Sequence, residues 1–423
     1  MEQFILVFYL SSLNQEPLWS ENEYLFLTEK IYEIQPLSSR EHESAARITT
    51  NPKLQWSNLV KQSCQAMVFN GPNQPLKIQS FSLPDLVQDE LLVRVLWCTI
   101  CGSDLHTYTG RRTVPTPTIL GHEIVGRIIE FGPSGQFKDI RGENLQKGDR
   151  ITWCLSVSCG QCFYCKIGLS NKCSLLFKYG HEPVHVRSGL SGGLAEFCHL
   201  KSGTACLKIP DPIPDLIACP LNCAVATVSA AFRKAGSCRD QVVLVLGAGL
   251  LGIMASAMAC HDGARAIIVC DPKQDRIDYA TRFGATHTLA TDKSDTSLRS
   301  LIRKVTDDRG PDICFEMCGF PESVTRAIDL LRIGGKLILV GSVFPTEPAA
   351  IVPQTIVNKL LTIQGVHNYL PEDLCAGTTF LATTYPQFPF SELVSQTYPL
   401  SQAQRAIMEA VEGRGLRCAV TPD

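Results

Sequence analysis

The sequence lacks any long apolar run and any excess of charge of one sign. No stretch of its 423 residues approaches the roughly 18 consecutive apolar residues that a membrane-crossing helix needs, so no segment is a candidate span. Lysine and arginine number 39 against 41 aspartates and glutamates, a net charge of -2. That balance supplies no electrostatic case for binding nucleic acid or an anionic membrane. Glycines and prolines are scattered rather than repeated, which leaves no fibrous or low-complexity segment. The opening "MEQFILVFYLSS" has an apolar core from Phe4 to Leu10, but Glu2 stands where a secretory signal carries positive charge. No small-residue cleavage pattern follows it, so no secretory signal is read. With 45% hydrophobic and 19% charged residues, the expectation is a globular cytoplasmic protein of two or three domains.

Cysteine, by contrast, is abundant, at 19 residues. In a reducing cytosol, dense cysteine clusters bind metal more often than they form disulfides. The stretch "CGQCFYCKIGLSNKC" spaces Cys159, Cys162, Cys165 and Cys173 as C-x2-C-x2-C-x7-C. It reads as a metal site, with disulfide pairing as the alternative.

The organisation changes along the chain. Residues 1–63 show little sustained periodicity and read as an N-terminal extension of uncertain order. From Met67 onward, "ELLVRVLWCTIC", "TILGHEIVGRIIEFG" and "KGDRITWC" alternate as short strands between turns, so residues 64–225 form a β-rich domain. From about Gln241 the pattern becomes apolar strand, glycine turn, helix, strand, which assigns 226–361 to a doubly wound α/β unit. Residues 362–423 carry mixed signals and end on a helical "SQAQRAIMEAVEGRG".

The α/β unit opens on "VLVLGAGLLG", which places Gly247, Gly249 and Gly252 as G-x-G-x-x-G after an apolar strand, with Asp271 ending the next strand. Gly247 permits the tight turn, Gly249 lets backbone approach a pyrophosphate, Gly252 lets helix pack on strand, and the helix N-terminus attracts phosphate. Asp271 is placed to accept the adenosine ribose hydroxyls. Its charge would repel a 2′-phosphate, which favours NAD over NADP. Leu250 and Leu251 within the turn, and Thr227 just upstream, complete the cofactor-binding candidates.

A third constellation comprises "CTICGSDLH" and "GHEIVG", which supply Cys101 and His122, and "LNCAVATVSAAF", which offers Cys223. Thiolate and imidazole suit zinc, and a catalytic zinc takes three protein ligands and keeps one position open. Singly, each has a bland reading: Cys223 as a small buried apolar residue, His122 as a hydrogen-bonded core histidine.

Taken together, "CGSDLHTYTG", "GHEIVGRIIEFG", the four-cysteine stretch, "GGLAEF" and "VLGAGLLG" resemble, in order and spacing, the zinc-dependent medium-chain alcohol dehydrogenases. The resemblance spans roughly Met67 to Pro422, and in detail is nearest a branch associated with phosphonate catabolism. It implies a Rossmann sheet joined to a β-rich GroES-like catalytic domain to which residues 362–423 return, two zinc ions per chain, NAD, a small alcohol or aldehyde substrate and a homodimer or homotetramer. Carried over residue by residue, it implies Cys101, His122 and Cys223 as catalytic zinc ligands and Cys159, Cys162, Cys165 and Cys173 as the structural zinc site. Glu123 matches a glutamate that can approach the metal, Asp104 a carboxylate that orients the ligand histidine, and Ser103 and His106 a proton relay. Gly102 departs from relatives that carry a basic residue on the cofactor pyrophosphate at that position. The other 13 cysteines read as buried small apolar residues. Arg111 and Arg112 lie between two ligands and are candidates to bind an anionic substrate group, against the plain reading of solvated surface arginines. Polyol or amino-alcohol dehydrogenases of the same superfamily, or a non-catalytic dinucleotide-binding relative, are the rival readings.

Overall fold

The computed structural model describes residues 63–134, 137–185, 189–291 and 296–423. The extension read over 1–63 lies, except for Ser63, outside the described residues. Strand β1 (Ser63–Phe69) begins four residues before Met67, where the sequence pattern was read to change. Cys64 and Ala66 are buried while Ser63 and Gln65 are exposed. The period of two was there, carried by small residues that announce a strand weakly.

Three sheets build the β-rich part. In the first, β1 is flanked by β2 (Lys77–Ser82) and β4 (Thr118–Ile119). The second contains β3 (Leu91–Thr99), β5 (Glu123–Phe131), β6 (Arg150–Trp153), β9 (Phe197–Leu200) and β10 (Cys206–Lys208). Two strands from the end of the chain, β17 (Val394–Pro399) and β18 (Arg417–Thr421), complete it. Its order is β10-β6-β5-β3-β18-β17, with β9 also on β3. The third is a short pair, β7 (Ser156–Val157) with β8 (Phe177–Lys178).

Register in the second sheet positions the chemistry. Antiparallel β3 and β5 pair Thr99 with Glu123, so Cys101, two residues past one strand, meets His122, one residue before the other. On the other side of β3, β18 pairs Ala419 with Thr99. That brings Arg417 to the same end of the sheet.

The α/β part is a six-stranded, wholly parallel sheet of β11 (Val242–Leu246), β12 (Ala266–Asp271), β13 (His287–Ala290), β14 (Ile313–Glu316), β15 (Lys336–Leu339) and β16 (Thr362–Gly365). Its order is β13-β12-β11-β14-β15-β16. β11 is buried at every residue, as a strand covered by helices on both faces must be, and reads accordingly as unbroken Val and Leu. Strand order reverses between β11 and β14, the switch point where such sheets bind ligands. Among the described residues no single helix is long and apolar enough to cross a membrane.

Candidate active site

Cys101, His122 and Cys223 converge, with their donor atoms all within 4.8 Å of one another. The two sulfurs stand 3.9 Å apart, and Cys223 Sγ is 3.5 Å from His122 Nε2. Zinc–thiolate bonds of about 2.3 Å at tetrahedral angles put neighbouring sulfurs about 3.8 Å apart, so the set fits zinc, and among the described residues no fourth His, Cys, Asp or Glu joins it. Ser103 Oγ lies 3.3 Å from the same His122 Nε2, on the Gly102–Tyr108 helix that follows Cys101.

Asp104 ties the two ligand segments together. Its carboxylate accepts the Cys101 backbone N–H at 2.9 Å and the Gly121 N–H at 3.2 Å, and it stands 3.4 Å from His122 Nδ1. That nitrogen makes no hydrogen bond of good geometry among the described residues, so Asp104 holds His122 by charge and by its backbone neighbours. Burial opposes protonation of His122, yet Asp104 and Cys101 outweigh it and hold the imidazole up to about 10. The Cys101 thiol is held well below its ordinary range by a hydrogen bond from Cys223, which is itself pushed well up. Two thiols and an imidazole must shed their protons to act as ligands, and a metal bound among them would take the place of those protons.

Glu123 does not join this cluster. It is fully buried and held by Arg417, with Nε to Oε2 at 3.0 Å and Nη2 to Oε1 at 3.1 Å, while Thr99 Oγ1 donates to it at 2.6 Å. Arg417 also reaches to 3.7 Å from Cys101 Sγ. Sequence reasoning missed Arg417, which lies 294 residues from Glu123 with no local signal. It also missed Asn222, buried beside Cys223, whose amide donates to His122 O at 2.9 Å and Trp153 O at 3.0 Å and accepts from Ile124 N–H at 3.3 Å. Its place next to a candidate ligand in "LNC" was the available hint.

The structure separates the two arginines. Arg111 is exposed, whereas Arg112 is half-buried and within electrostatic reach of Asp104, Cys101 and Cys223. Its backbone N–H donates to His106 O at 3.0 Å. Burial, and then Arg111, hold the His106 imidazole below its ordinary range. The His106 ring packs on Phe344, centroids 4.1 Å apart, so the loop after β15 meets the helix that carries Ser103.

The four remaining candidate ligands form a separate site. The Cys162–Cys165, Cys162–Cys173 and Cys173–Cys159 sulfurs are 3.5, 3.9 and 3.4 Å apart, a tetrahedral thiolate spacing and far from the about 2.05 Å of a disulfide. Backbone N–H groups of Cys159, Cys162 and Leu175 point at these sulfurs at 3.2 to 3.4 Å. Such donors favour thiolate, and backbone N–H groups, those of Ser174 and Cys165, hold Cys162 down at about 5. Of the other cysteines, Cys260 is exposed and Cys318 and Cys375 half-buried, while the rest are buried as expected.

At the switch point, Gly247 has φ +99°, a conformation that favours glycine. A Cβ on Gly252 would stand 1.8 Å from Gly247 O, so strand and helix touch there, while a Cβ on Gly249 would meet nothing within 4 Å. The tight turn and close packing are therefore internal requirements, and Gly249 faces open space. Asp271, at the end of β12, accepts the Ala248 N–H at 2.8 Å and the Lys273 N–H at 2.9 Å. Leu250 is buried and Leu251 half-buried, so their backbone, at the start of the Leu250–His261 helix, is what a phosphate can meet. Thr227 is half-exposed on the Ala224–Ala235 helix that Cys223 precedes.

Two family models match the chain: the alcohol dehydrogenase GroES-like domain over residues 87–211 and the zinc-binding dehydrogenase domain over 251–383. A sorbitol dehydrogenase of Bacillus subtilis is 31% identical over 364 residues, covering 84% of this chain and 96% of its own length. An L-threonine 3-dehydrogenase of Colwellia psychrerythraea is 33% identical over 67% of this chain and 78% of its own. Among solved structures, an alcohol dehydrogenase from Thermotoga maritima superposes with a TM-score of 0.81 at 29% identity, over 85% of this chain and all of its own. With the donor sets and the two-part fold these matches establish the family: the chain belongs to the zinc-dependent medium-chain alcohol dehydrogenases.

Proposed function

We propose that the protein oxidises a small alcohol to an aldehyde or ketone, and reverses that reaction, by hydride exchange with NAD. The observation that carries the reading is the cluster of three donors, Cys101, His122 and Cys223, rather than four, the pattern of a metal site that admits substrate. When bound there, zinc supplies Lewis acidity that lowers the pKa of an alcohol hydroxyl, and the dinucleotide takes the hydride. The chain's own part is to place and deprotonate the substrate. Ser103, beside the donor cluster, would relay the hydroxyl proton by accepting it while giving up its own, and His106, one turn along the same helix, would carry the released proton to solvent. A neutral His106 suits that role, and burial with Arg111 keeps it neutral. Gly247, Gly249, Gly252 and the backbone of Leu250 and Leu251 would receive the pyrophosphate, with Thr227 nearby and Asp271 on the ribose, which favours NAD. Glu123, clamped by Arg417, would approach the metal only by leaving that pair. Cys159, Cys162, Cys165 and Cys173 would hold a second, structural zinc in a reducing cytoplasm. The substrate is proposed to bear an anionic group, such as a phosphonate, with Arg112 as its contact. A polyol or amino-alcohol substrate is the second reading, and the similarity to sorbitol and threonine dehydrogenases supports it. A homodimer or homotetramer is the proposed assembly, to be read by light scattering. The deciding experiment is a substrate panel of neutral, cationic and anionic alcohols with NAD and NADP, on protein of measured zinc content. Failure to oxidise any of them at two zinc ions per chain overturns the reading.

A further inference from the structure

The four-cysteine lobe and the strand that follows it carry two lysines, and the second of them comes within electrostatic reach of the catalytic donor cluster. Lys172 immediately precedes Cys173, and Lys178 ends β8 just beyond it. Both meet the segment that follows β16. The Lys172 ammonium contacts His367 Nδ1, Asn171 Nδ2 donates to His367 O at 2.9 Å, and Lys178 Nζ donates to Asn368 Oδ1 at 3.4 Å. Lys178 is half-buried and within electrostatic reach of Arg112, Cys223, Cys101 and Lys172. Arg112 enters the same space from the loop between Cys101 and His122. Among the described residues, no carboxylate stands within ion-pair distance of Arg112, Lys172 or Lys178.

The electrostatics of this arrangement are unbalanced. Half-burying a cation costs free energy unless an opposite charge compensates it, and cations crowded together cost more. The opposite charges within reach are the Cys101 and Cys223 sulfurs for both cations and, for Arg112, the Asp104 carboxylate that also faces His122. A divalent ion held by two thiolates neutralises the charge of the sulfurs. With zinc bound, Lys178 and Lys172 would keep no carboxylate within ion-pair distance and Arg112 would have only Asp104, which His122 shares, a deficit of negative charge that a ligand oxyanion would fill.

We infer that Arg112, Lys178 and Lys172, backed by His367 and Asn368, form a subsite for a phosphate, phosphonate or carboxylate group on the substrate, set beside the reacting carbon. The proposal rests on the dehydrogenase reading and narrows its substrate class to short hydroxyalkyl or oxoalkyl oxyanions. Arg111, which is exposed, takes no part. Binding energy from a group remote from the reacting carbon is then available to position it.

Two measurements test this on the zinc-loaded full chain. The first is thermal-shift titration with inorganic phosphate, methylphosphonate and acetate at constant ionic strength, with chloride as the control anion. Saturable stabilisation by at least one of the three oxyanions is expected, weakened about 10- to 100-fold in apparent Kd by Lys178→Gln and by Arg112→Gln. Lys178→Arg should recover most of it, and Lys172→Gln covers the case in which the half-buried substitutions fail to fold. The second compares KM for 3-hydroxypropyl phosphate, 3-hydroxypropylphosphonate, 4-hydroxybutyrate and neutral 1,4-butanediol. The anionic alcohols should have the lower KM, and the lysine and arginine substitutions should raise it selectively. Oxyanion binding without turnover of any alcohol would refute the dehydrogenase reading and leave the subsite standing. Turnover of neutral alcohols with no oxyanion binding, or binding that the substitutions leave unchanged, overturns the subsite and leaves the dehydrogenase.

Discussion

Glu123 and Arg417 show how a single pair can hold a reactive site in shape. Nε and Nη2 of Arg417 both donate to the fully buried carboxylate, and Thr99 satisfies it further. Arg417→Met would leave that carboxylate charged and unpaired, which costs about 3–5 kcal/mol, so a large fall in the urea midpoint is expected. A loss below about 1 kcal/mol would mean that the pair is not formed in solution. The same scale offers a pH prediction. Burial and Arg111 both hold His106 below its ordinary range, and the neutral imidazole is the form that accepts a proton. Removing the cation in Arg111→Gln lets His106 keep its proton to higher pH. The acid limb of kcat/KM for alcohol oxidation should therefore move towards higher pH, whereas an unmoved or lowered limb would separate His106 from proton transfer. Gly102 gives a third residue-scale expectation. A Cβ there meets nothing within 4 Å, so Gly102→Arg should fold unchanged and, if the position faces the pyrophosphate, tighten NADH binding in a fluorescence titration.

At the scale of elements, legibility followed the range of the interaction. The four-cysteine lobe is a local structure: its spacing is complete within residues 159–173, and its backbone N–H donors come from the same turns. The glycine turn is equally local, since Gly247 and Gly252 answer to each other. Cys101 and His122 could be suspected because β3 and β5 lie close in sequence, and Cys223 was on offer as a third donor, but their joint role needed the resemblance, and Arg417 joins only when β18 docks on β3. Lys178 was invisible for the same reason, because its importance comes from Arg112 and Asn368, which belong to other elements. These two metal elements should separate experimentally. Cys101→Ser is expected to abolish turnover and lower the zinc content from two ions per chain to one, with the circular dichroism spectrum retained. Cys162→Ser should also remove one ion, but its main effect should be a lower Tm, because metal binding at a closed site contributes directly to folding. Equal effects on Tm, or a wild-type protein that holds one zinc, would contradict the division of labour.

For the whole molecule, the open matter is where the working unit begins. Reading by motif suggested Met67, but a chain starting there would lose the first half of β1. Four register pairs with β2, from Ser63–Ser82 to Ala66–Gln79, lie ahead of Met67. Gln65 N–H donates to Glu196 at 2.7 Å, and Cys64 and Ala66 are buried. Removing them would expose a sheet edge and open the core beneath it, so a start at Met67 should be poorly soluble and of lower Tm. A start at Val60, three residues ahead of β1, keeps every one of these interactions. All the donors, relay residues and glycines proposed for catalysis lie beyond that point, and the family models match only from residue 87 onward. The Val60 truncation should therefore retain both zinc ions, the Tm of the full chain and its kcat within about twofold. A Val60 truncation that is folded and zinc-replete yet inactive would show that residues 1–59 contribute to catalysis, and the proposed unit would have to be extended to include them.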